Sequence, residues 1–362
     1  MSADRARGHG AAGGPAAPAV LPAPYQTVLK PYGRALVELA RQRPEIVCLS
    51  GDLTRQCEIE LFQQEFPGRF IHAGMAEANM IGVAGALARS GLIPFVHTFG
   101  VFATRRPLDQ IVNAVAYPRL PVRIVGFMPG ISSPGGPSHQ AIEDVALMRA
   151  LPGMTVVDVA DATETGQAVA AIADQPGPVY LRLKRGEIPV IFPPDHRLSL
   201  AAAQVLTGGS AAGGVPDETD VALVASGMMV APALAAASLL DGSGIRVCVL
   251  NVPVIKPLDT QTVLAAAAAA RVVVTAENHS VIGGLGSAVA EALAGAGLGR
   301  PLRRLGLADT FAEGALSAPY LLTKYGLTTQ HLASAAWAAL GQPGPAPRAP
   351  ATAAQAGEYS PV

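Results

Sequence analysis

The chain has 362 residues, half of them hydrophobic, and a net charge of −1. This is enough for two domains with sizeable cores. No run of basic residues is longer than two, and basic residues are not interleaved with aromatic ones, so neither nucleic acid nor a membrane surface is expected as a partner. No apolar stretch has the continuity of a membrane span. The three cysteines lack a CxxC spacing and the first 24 residues lack a signal-like apolar core, which predicts a cytoplasmic protein.

Both ends of the chain are rich in Ala, Gly and Pro, and we expect disordered tails at residues 1–24 and 341–362. Between them, apolar runs of strand length alternate with segments of helical spacing. The predicted strands are residues 45–52, 69–74, 92–99, 122–128, 154–160 and 179–184, and then, after a loop-like linker at 193–219, residues 221–226, 245–251, 271–277 and 301–307. This alternation predicts an α/β protein of two doubly wound domains with mainly parallel sheets, at residues 25–192 and 220–340.

One carboxylate lies in an otherwise apolar segment. From residue 73 to 87 the only charged residue is Glu77. The pattern over residues 74–90, followed by Gly91, predicts a helix with Glu77 in its first turn and a glycine at its C-terminus. An acid in a first turn can simply complement the helix dipole. Because the surrounding turn is apolar and burying a carboxylate is costly, we interpret Glu77 as a buried functional acid.

Polar and aromatic candidates follow the ends of predicted strands, where parallel sheets bind ligands. Asp52 closes the strand EIVCLSGD, and Phe99 and Phe102 stand at the end of the strand LIPFVHTF and three residues beyond it. Three residues apart, the two rings are expected on one side of a turn. Such pairs are often plain core, but this chain has only 5% aromatic residues, which favours a ligand-binding role.

A loop and a strand end supply the remaining candidates. The loop GISSPGGPSHQ is expected to deliver His139 and Gln140 to the start of the helix AIEDVALMRALP, where the neutral imidazole is favoured and can give or take a proton. Arg185, after the strand VYLRLK, can hold an anion. A local cap and a solvated strand end are the structural alternatives for His139 and Arg185. The segment GGLGSA at residues 283–288 is an incomplete dinucleotide fingerprint and is interpreted as a glycine-rich helix entrance.

Four segments in this order and spacing, GMAEANM, HTFGVFATRRPLDQI, GPSHQAIED and LPGMTVV, resemble the C-terminal half of transketolase. The resemblance implies the pyrimidine-binding domain of thiamine-diphosphate enzymes, then the transketolase C-terminal domain, and transfer of a two-carbon ketol unit from a ketose donor to an aldose or aldehyde acceptor. In that family the glutamate matching Glu77 binds N1′ of the aminopyrimidine, so that the cofactor removes its own C2 proton.

The resemblance also implies a set of site residues. Phe102 matches the ring that stacks on the aminopyrimidine, His139 a substrate-facing histidine, and Arg185 an arginine that binds the acceptor's phosphate. Together with the candidates found at the strand ends and in the loop, the predicted sites are, for catalysis, Glu77 and His139; for the cofactor, Glu77, Phe99, Phe102, Asp52 and Arg105; and for the substrate, His139, Gln140 and Arg185.

The diphosphate-binding half of such a site is missing from this sequence. It needs a Gly-Asp-Gly segment followed by asparagine ligands for a metal, and Gly51-Asp52-Leu53 lies in the wrong domain for it. We therefore expect an N-terminal-half transketolase subunit to carry the domain that binds thiamine diphosphate and Mg²⁺. The metal ligands are expected on that partner and none on this chain, in an α2β2 heterotetramer.

Two departures from the family pattern concern the substrate. Gly135 stands where full-length transketolases have an aspartate that contacts a substrate hydroxyl, and Phe127 where they have a phosphate-binding histidine. Donor and acceptor are thus expected to differ from the ordinary pentose phosphate pair. The alternatives are the beta subunit of a 2-oxo acid dehydrogenase, a deoxyxylulose-phosphate synthase relative, or a non-catalytic regulatory or scaffold subunit.

Overall fold

The structure is a computed structural model that describes residues 20–208 and 214–348, so most of both predicted tails lies outside the described residues. Its strands are β1 (Thr27–Leu29), β2 (Ile46–Ser50), β3 (Phe70–His72), β4 (Ile93–Phe99), β5 (Arg123–Phe127), β6 (Thr155–Asp158), β7 (Val179–Leu183), β8 (Glu187–Pro189), β9 (Gln204–Thr207), β10 (Thr219–Ala225), β11 (Val247–Asn251), β12 (Val254–Lys256), β13 (Ala270–Ser280) and β14 (Leu302–Leu307).

Helices alternate with these strands along most of the chain. They are α1 (Pro31–Gln42), α2 (Glu60–Glu65), α3 (Glu77–Arg89), α4 (Gly100–Thr104), α5 (Leu108–Gln110), which continues as a π-helix over Ile111–Ala116, α6 (Asp144–Ala150), α7 (Ala162–Ala173), α8 (Val230–Asp241), α9 (Thr260–Ala269), α10 (Leu285–Gly295), α11 (Ala318–Lys324) and α12 (Thr329–Ala339). Within residues 20–208 and 214–348, no helix combines the length and apolar character needed to cross a membrane.

The first sheet has seven strands in the order β12-β6-β7-β5-β4-β2-β3. All neighbours are parallel except β12, which pairs antiparallel with β6. Every residue of β2, β5 and β7 is buried, as expected for central strands covered by helices on both faces. All six strands predicted before residue 192 are present.

The second sheet has the order β14-β13-β10-β11-β9 and is parallel except for β9. It contains the four strands predicted for this part of the chain, and the predicted fold class is confirmed. Four of the described strands were not anticipated. Strands β1 and β8 pair antiparallel with each other, β9 lies within the segment predicted as a loop-like linker, and β12 crosses back to the first sheet. All four are only three or four residues long, and so short a run carries no readable alternation.

The two domains share a hydrophobic core rather than meeting at a thin boundary. Ile131 and Phe192 of the first domain belong to the same buried cluster as Met228, Met229 and Leu321 of the second. The ends of β5 and β7, from which the candidate loop and Arg185 emerge, are therefore held against the second domain.

Helix α3 packs unusually close to its neighbour. It begins at Glu77 and ends at Arg89, and Gly91 just beyond it has φ +88°, a conformation that glycine adopts without strain. A Cβ at Gly85 would lie 2.6 Å from the carbonyl oxygen of Ala114 on the π-helix. Only glycine permits this approach, which fixes the position of the helix that carries the acid.

Candidate active site

Glu77 is the first residue of α3 and is only 3% exposed. Its Oε1 accepts a hydrogen bond of 2.6 Å from Nη1 of Arg106, whose side chain is 48% exposed. The carboxylate at the start of the apolar helix is thus buried, and its ion pair with Arg106 offsets the electrostatic cost of taking it out of water.

Two phenylalanines lie beside this ion pair. Phe99 ends β4 and Phe102 is in α4; their ring centroids are 6.2 Å apart and the ring planes differ by 17°. The guanidinium carbon of Arg106 lies 4.1 Å from the centroid of the Phe102 ring, within the range of a cation–π contact. Carboxylate, guanidinium and aromatic ring are therefore in contact in that order.

The loop of residues 129–143 brings a histidine to the same ring. His139 is half-buried, meets Phe102 edge-on at 5.3 Å between centroids, and has Nδ1 2.9 Å from the Ser138 hydroxyl. The prediction that it starts a helix is wrong, because α6 begins only at Asp144. The intervening residues instead close the loop through bridges from Ala141 to its opening residues, so His139 does not cap a helix.

Arg105 holds this loop in place. Its guanidinium forms an ion pair with Glu143 and donates to the carbonyl oxygens of Pro137, at 2.8 Å, and Gln140, at 3.1 Å. Arg105, predicted to contact the cofactor, is engaged with the His139 loop, whereas its neighbour Arg106 contacts Glu77.

The second domain forms hydrogen bonds with residues 133–140 of the loop. Gln140 is fully buried, and its side-chain amide donates to the carbonyl oxygens of Ser133 and Glu313, both at 3.1 Å. The backbone N–H of Ala315 donates to the Pro134 carbonyl at 2.9 Å. Gln140, predicted to bind substrate, thus ties the loop to the second domain.

Asn278, from the end of β13 in the second domain, holds the start of the loop. Its Oδ1 accepts from the Ile131 N–H and its Nδ2 donates to the Pro129 carbonyl, each at 2.9 Å. Gly130 between them has φ +55°, and a Cβ there would lie 2.2 Å from Asn278 atoms. Glycine is required at this position for the second domain to reach the loop.

Asp52 and Arg185 are further apart than the other candidates. Asp52 follows β2 with φ +81°, and its Oδ1 lies 3.5 Å from Nε2 of His72 on the neighbouring strand. Arg185 follows β7 and is exposed; its charge opposes the rise in the pKa of the Cys57 thiol that burial causes. Since β5 and β4 lie between β7 and β2, the two strand ends are roughly 14 Å apart at the usual strand spacing.

A buried charge network joins the domains behind the loop. Arg182 donates to Asp144 at 2.8 and 3.1 Å, to Asp158 at 2.9 Å and to the Asn278 carbonyl at 3.0 Å, and the Tyr180 hydroxyl donates to Asp144 at 2.6 Å. Burial alone would raise the pKa of Asp144, but the charges of Arg182 and His279 and the hydrogen bonds from Arg182 and Tyr180 together outweigh it, and the pKa is lowered. At the other end of the network, burial raises the pKa of Asp158 more than the Arg182 charge and the Ser226 hydrogen bond lower it.

Comparison with known proteins identifies the family. Residues 26–190 match the transketolase pyrimidine-binding domain and residues 212–332 the transketolase C-terminal domain. The chain is 45% identical over 306 residues to the 6-deoxy-6-sulfo-D-fructose transketolase subunit of Clostridium sp. (strain MSTE9), which spans 84% of this chain and 92% of that protein. The chain belongs to the transketolase family.

Its similarity to a half-length transketolase is also structural. A solved split-gene transketolase, in an inactive beta4 tetramer, is 42% identical with a TM-score of 0.78 and is covered over 99% of its chain, using 87% of this one. The 1-deoxy-D-xylulose-5-phosphate synthase of Thermomicrobium roseum (strain ATCC 27502 / DSM 5159 / P-2) is 36% identical, but this chain spans only 49% of it. The resemblance to the C-terminal half of transketolase is confirmed.

The two departures from the transketolase pattern have distinct structural settings. Phe127 ends β5 fully buried, with its ring 5.6 Å from the Tyr32 ring in an edge-on contact, so it is a core residue. Gly135 is exposed in the His139 loop, and a Cβ there would lie 2.8 Å from Cβ of His139. A larger residue at position 135 would therefore push against the histidine.

Three contact residues of this transketolase-family site escaped the sequence reasoning. Arg106 stands beside Arg105 in the sequence, and only the turn after α4 decides which of them faces Glu77. Arg182 lies inside the predicted strand at 179–184 and Asn278 just past the one at 271–277, 96 residues apart. No local pattern signals their contacts, because each partner comes from another domain or a distant loop.

Proposed function

We propose that this chain is the C-terminal-half subunit of a split, thiamine-diphosphate-dependent transketolase that moves a two-carbon ketol unit from a ketose to an aldose or aldehyde. The observation that carries the proposal is the convergence of Glu77, Phe102 and His139. A buried acid, an aromatic ring and a histidine come from three separate segments. Arg106 contacts both the acid and the ring, and the histidine meets the edge of the same ring.

The residues present fit the aminopyrimidine half of the cofactor. Glu77 and Phe102 already hold one planar group that has N–H donors and positive charge, the guanidinium of Arg106. A protonated aminopyrimidine can bind the same two partners, because it donates hydrogen bonds to a carboxylate and stacks on an aromatic ring. When bound, thiamine diphosphate supplies the nucleophilic carbon that takes up the two-carbon unit.

The roles of this chain's residues follow from their positions. Glu77 would hold a proton at the ring nitrogen and Phe102 would stack on the ring, with Phe99 packed against Phe102. His139, at the edge of Phe102, gives and takes the proton of a substrate hydroxyl. Arg185, at the exposed end of β7, binds an anionic group at the far end of the substrate.

Other assigned residues act less directly in this proposal. Asp52, exposed after β2 and 3.5 Å from His72, would serve as a further contact for the cofactor. Gln140 and Arg105 keep the His139 loop in its working position through the contacts described above. This reassigns Arg105 and Gln140 from ligand contact to support of the loop.

The diphosphate and Mg²⁺ are assigned to a partner subunit. Within residues 20–208 and 214–348, no three His, Cys, Asp or Glu side chains are grouped so as to hold a metal ion. Met75, two residues before the buried acid, is 78% exposed, which suits an edge that another chain covers. An N-terminal-half transketolase subunit on this edge would complete the site, most simply in an α2β2 heterotetramer.

We infer a ketose substrate other than the ordinary pentose phosphates. Phe127 and Gly135 carry no polar group where full-length transketolases have a phosphate-binding and a hydroxyl-binding residue. The Clostridium relative is a transketolase subunit for a sulfonated ketose. Donors with a differently placed or differently charged terminal group are therefore the class to test first.

The test is co-expression of this chain with the product of a neighbouring reading frame that contains Gly-Asp-Gly. We expect a complex that retains thiamine diphosphate with Mg²⁺ and exchanges ketol units between sugars, while this chain alone retains none. Tight retention by this chain alone would contradict the split site. Rates on xylulose 5-phosphate and ribose 5-phosphate equal to those of a standard transketolase would contradict the substrate inference.

The second candidate is a deoxyxylulose-phosphate synthase-like activity, favoured by the 36% identity to the Thermomicrobium enzyme. The same complex distinguishes the two. Release of carbon dioxide from a 2-oxo acid without ketol exchange would support the synthase-like reaction, and ketol exchange without decarboxylation supports the transketolase.

A further inference from the structure

Arg106 makes two contacts that no local feature of the sequence demands. Nη1 donates to the buried Oε1 of Glu77 at 2.6 Å, and the guanidinium carbon lies 4.1 Å from the centre of the Phe102 ring. The adjacent Arg105 turns instead to Glu143 and the His139 loop. The two arginines therefore serve separate structures, and Arg106 alone joins the acid to the ring.

The position that Arg106 holds admits one planar group at a time. Phe99 lies nearly parallel to Phe102, with 17° between the rings, and His139 meets the edge of Phe102 at 73°. A flat ligand that stacks on Phe102 and donates a hydrogen bond to Glu77 needs the place of the guanidinium. The guanidinium and such a ligand satisfy the same carboxylate and the same aromatic face.

The two partners of this ion pair differ sharply in exposure. The Glu77 side chain is 3% exposed and that of Arg106 is 48% exposed. Arg106 can thus leave toward solvent by rotation of its own side chain, whereas Glu77 stays fixed at the first residue of α3.

We propose that Arg106 is a displaceable stand-in for the aminopyrimidine ring: it neutralises Glu77 and covers Phe102 until the cofactor takes its place. This rests on the proposed function, because it takes Glu77 and Phe102 as the pyrimidine site. It predicts that Arg106 lowers the affinity for thiamine diphosphate. Each binding event must break one charge-assisted hydrogen bond and one cation–π contact.

The test measures the dissociation constant of thiamine diphosphate, with Mg²⁺ present, for the complex of this chain with its N-terminal-half partner by isothermal titration calorimetry. We compare wild type with Arg106→Gln, Arg106→Lys and Arg89→Gln. Arg89 is exposed at the far end of α3, so its variant reports the loss of one positive charge without touching the site.

Relative to Arg89→Gln, the Arg106→Gln complex should bind the cofactor more tightly, by on the order of tenfold, since the competing contacts are partly exposed. Arg106→Lys should fall between, because a lysine pairs with Glu77 but lacks the planar fork that covers the ring. Equal or weaker binding by Arg106→Gln would overturn the proposal.

A second measurement tests the pairing on this chain alone, by urea unfolding. Arg106→Gln should destabilise the chain more than Arg89→Gln, because Glu77 is left buried without its partner, and adding Glu77→Gln should recover most of that loss. Absence of this coupling would also overturn the proposal. If the wild-type complex binds no cofactor, the proposed function and this inference both fail; if it binds and Arg106→Gln binds no tighter, only this inference fails.

Discussion

At the scale of single residues, the molecule is organised around a carboxylate that is both buried and paired. Glu77 opens an apolar helix at 3% exposure, and its partner Arg106 comes from the turn after α4. Taking a carboxylate out of water is costly, and the Arg106 guanidinium offsets that cost. A buried acid of this kind marks a candidate functional site.

The first prediction concerns this acid. Glu77→Ala should lower kcat of the reconstituted complex about 10³-fold or more, because no group would then hold a proton at the cofactor's ring nitrogen. Circular dichroism should show the fold unchanged, and Glu38→Ala, an exposed acid on α1, serves as the control. A Glu77→Ala complex with wild-type turnover would remove Glu77 from the mechanism.

The second prediction concerns the histidine on the loop. His139→Ala should slow turnover by roughly 10²- to 10⁴-fold, the range for a positioned acid or base, with little change in cofactor affinity. Ser138→Ala, which removes only the hydroxyl 2.9 Å from Nδ1, should cost much less. Steady-state kinetics with calorimetry separates the two effects, and an unchanged rate in His139→Ala would leave it a purely structural loop residue.

At the scale of elements, helix α1 is capped from outside its own segment. Its N-cap residue Lys30 provides no side-chain cap, and the Gly33 N–H donates instead to the carboxylate of Glu58, at 3.0 Å. A Cβ at Gly33 would lie 2.2 Å from the Glu58 carbonyl oxygen, so the helix and the loop before α2 can meet only at a glycine. Burial raises the pKa of Glu58 to about 7, more than these N–H donors lower it.

The third prediction follows from that pKa. Because folded Glu58 binds its proton more tightly than unfolded Glu58, with a reference pKa of 4.5, it makes stability fall as pH rises from 4.5 to 7. Glu58→Gln should therefore reduce the loss of unfolding free energy between pH 5 and pH 8, by on the order of 1–3 kcal/mol. Urea unfolding at both pH values measures this.

Glu38→Gln, on the exposed face of α1, is the matched control for this measurement and should leave the pH dependence as in wild type. Burial lowers the pKa of His97 to about 4, so His97 acts in the opposite sense and costs stability as pH falls below 6.5. His97 is common to all variants and cancels in the comparison. An identical pH profile for Glu58→Gln and wild type would contradict the assignment.

At the scale of the whole molecule, the two domains form one packed body around the His139 loop. They share a hydrophobic cluster, a strand that crosses to the first sheet, and the charge network of Arg182. Asn278 and the backbone near Gly314 hold the loop from the second domain. The second domain is thus structurally required for the position of His139.

The fourth prediction tests that coupling. Arg182→Ala should destabilise the chain by about 3–5 kcal/mol, because it leaves Asp144 and Asp158 buried without a counter-charge. Thermal and urea unfolding measure the loss, with the exposed Arg34→Ala as control. The triple variant Arg182→Met, Asp144→Asn, Asp158→Asn should recover part of it. A single Arg182→Ala change that leaves stability intact would contradict the network's role.

Much of the architecture could be predicted from local patterns. The ten predicted strands, the mainly parallel sheets and a helix with Glu77 in its first turn follow from local runs of apolar residues and from the glycines and prolines that bound them. The predicted helix opened at residue 74, whereas α3 begins at Glu77 itself. The prediction that α6 starts beside His139 failed, because the helical spacing of AIEDVALMRALP says nothing of the bridges that hold Ala141 in an extended turn.

The sequence by itself determined the fold class, the family resemblance and the isolated acid at a helix start, because each of these is written in neighbouring residues. Only the tertiary structure decided that Arg106 rather than Arg105 meets Glu77, that Gln140 is buried against the second domain, and that β12 crosses to the first sheet. The physical reason is distance along the chain. These contacts join segments that are distant in the sequence. The spacing of residues within one segment does not determine which of several chemically similar partners a side chain will contact.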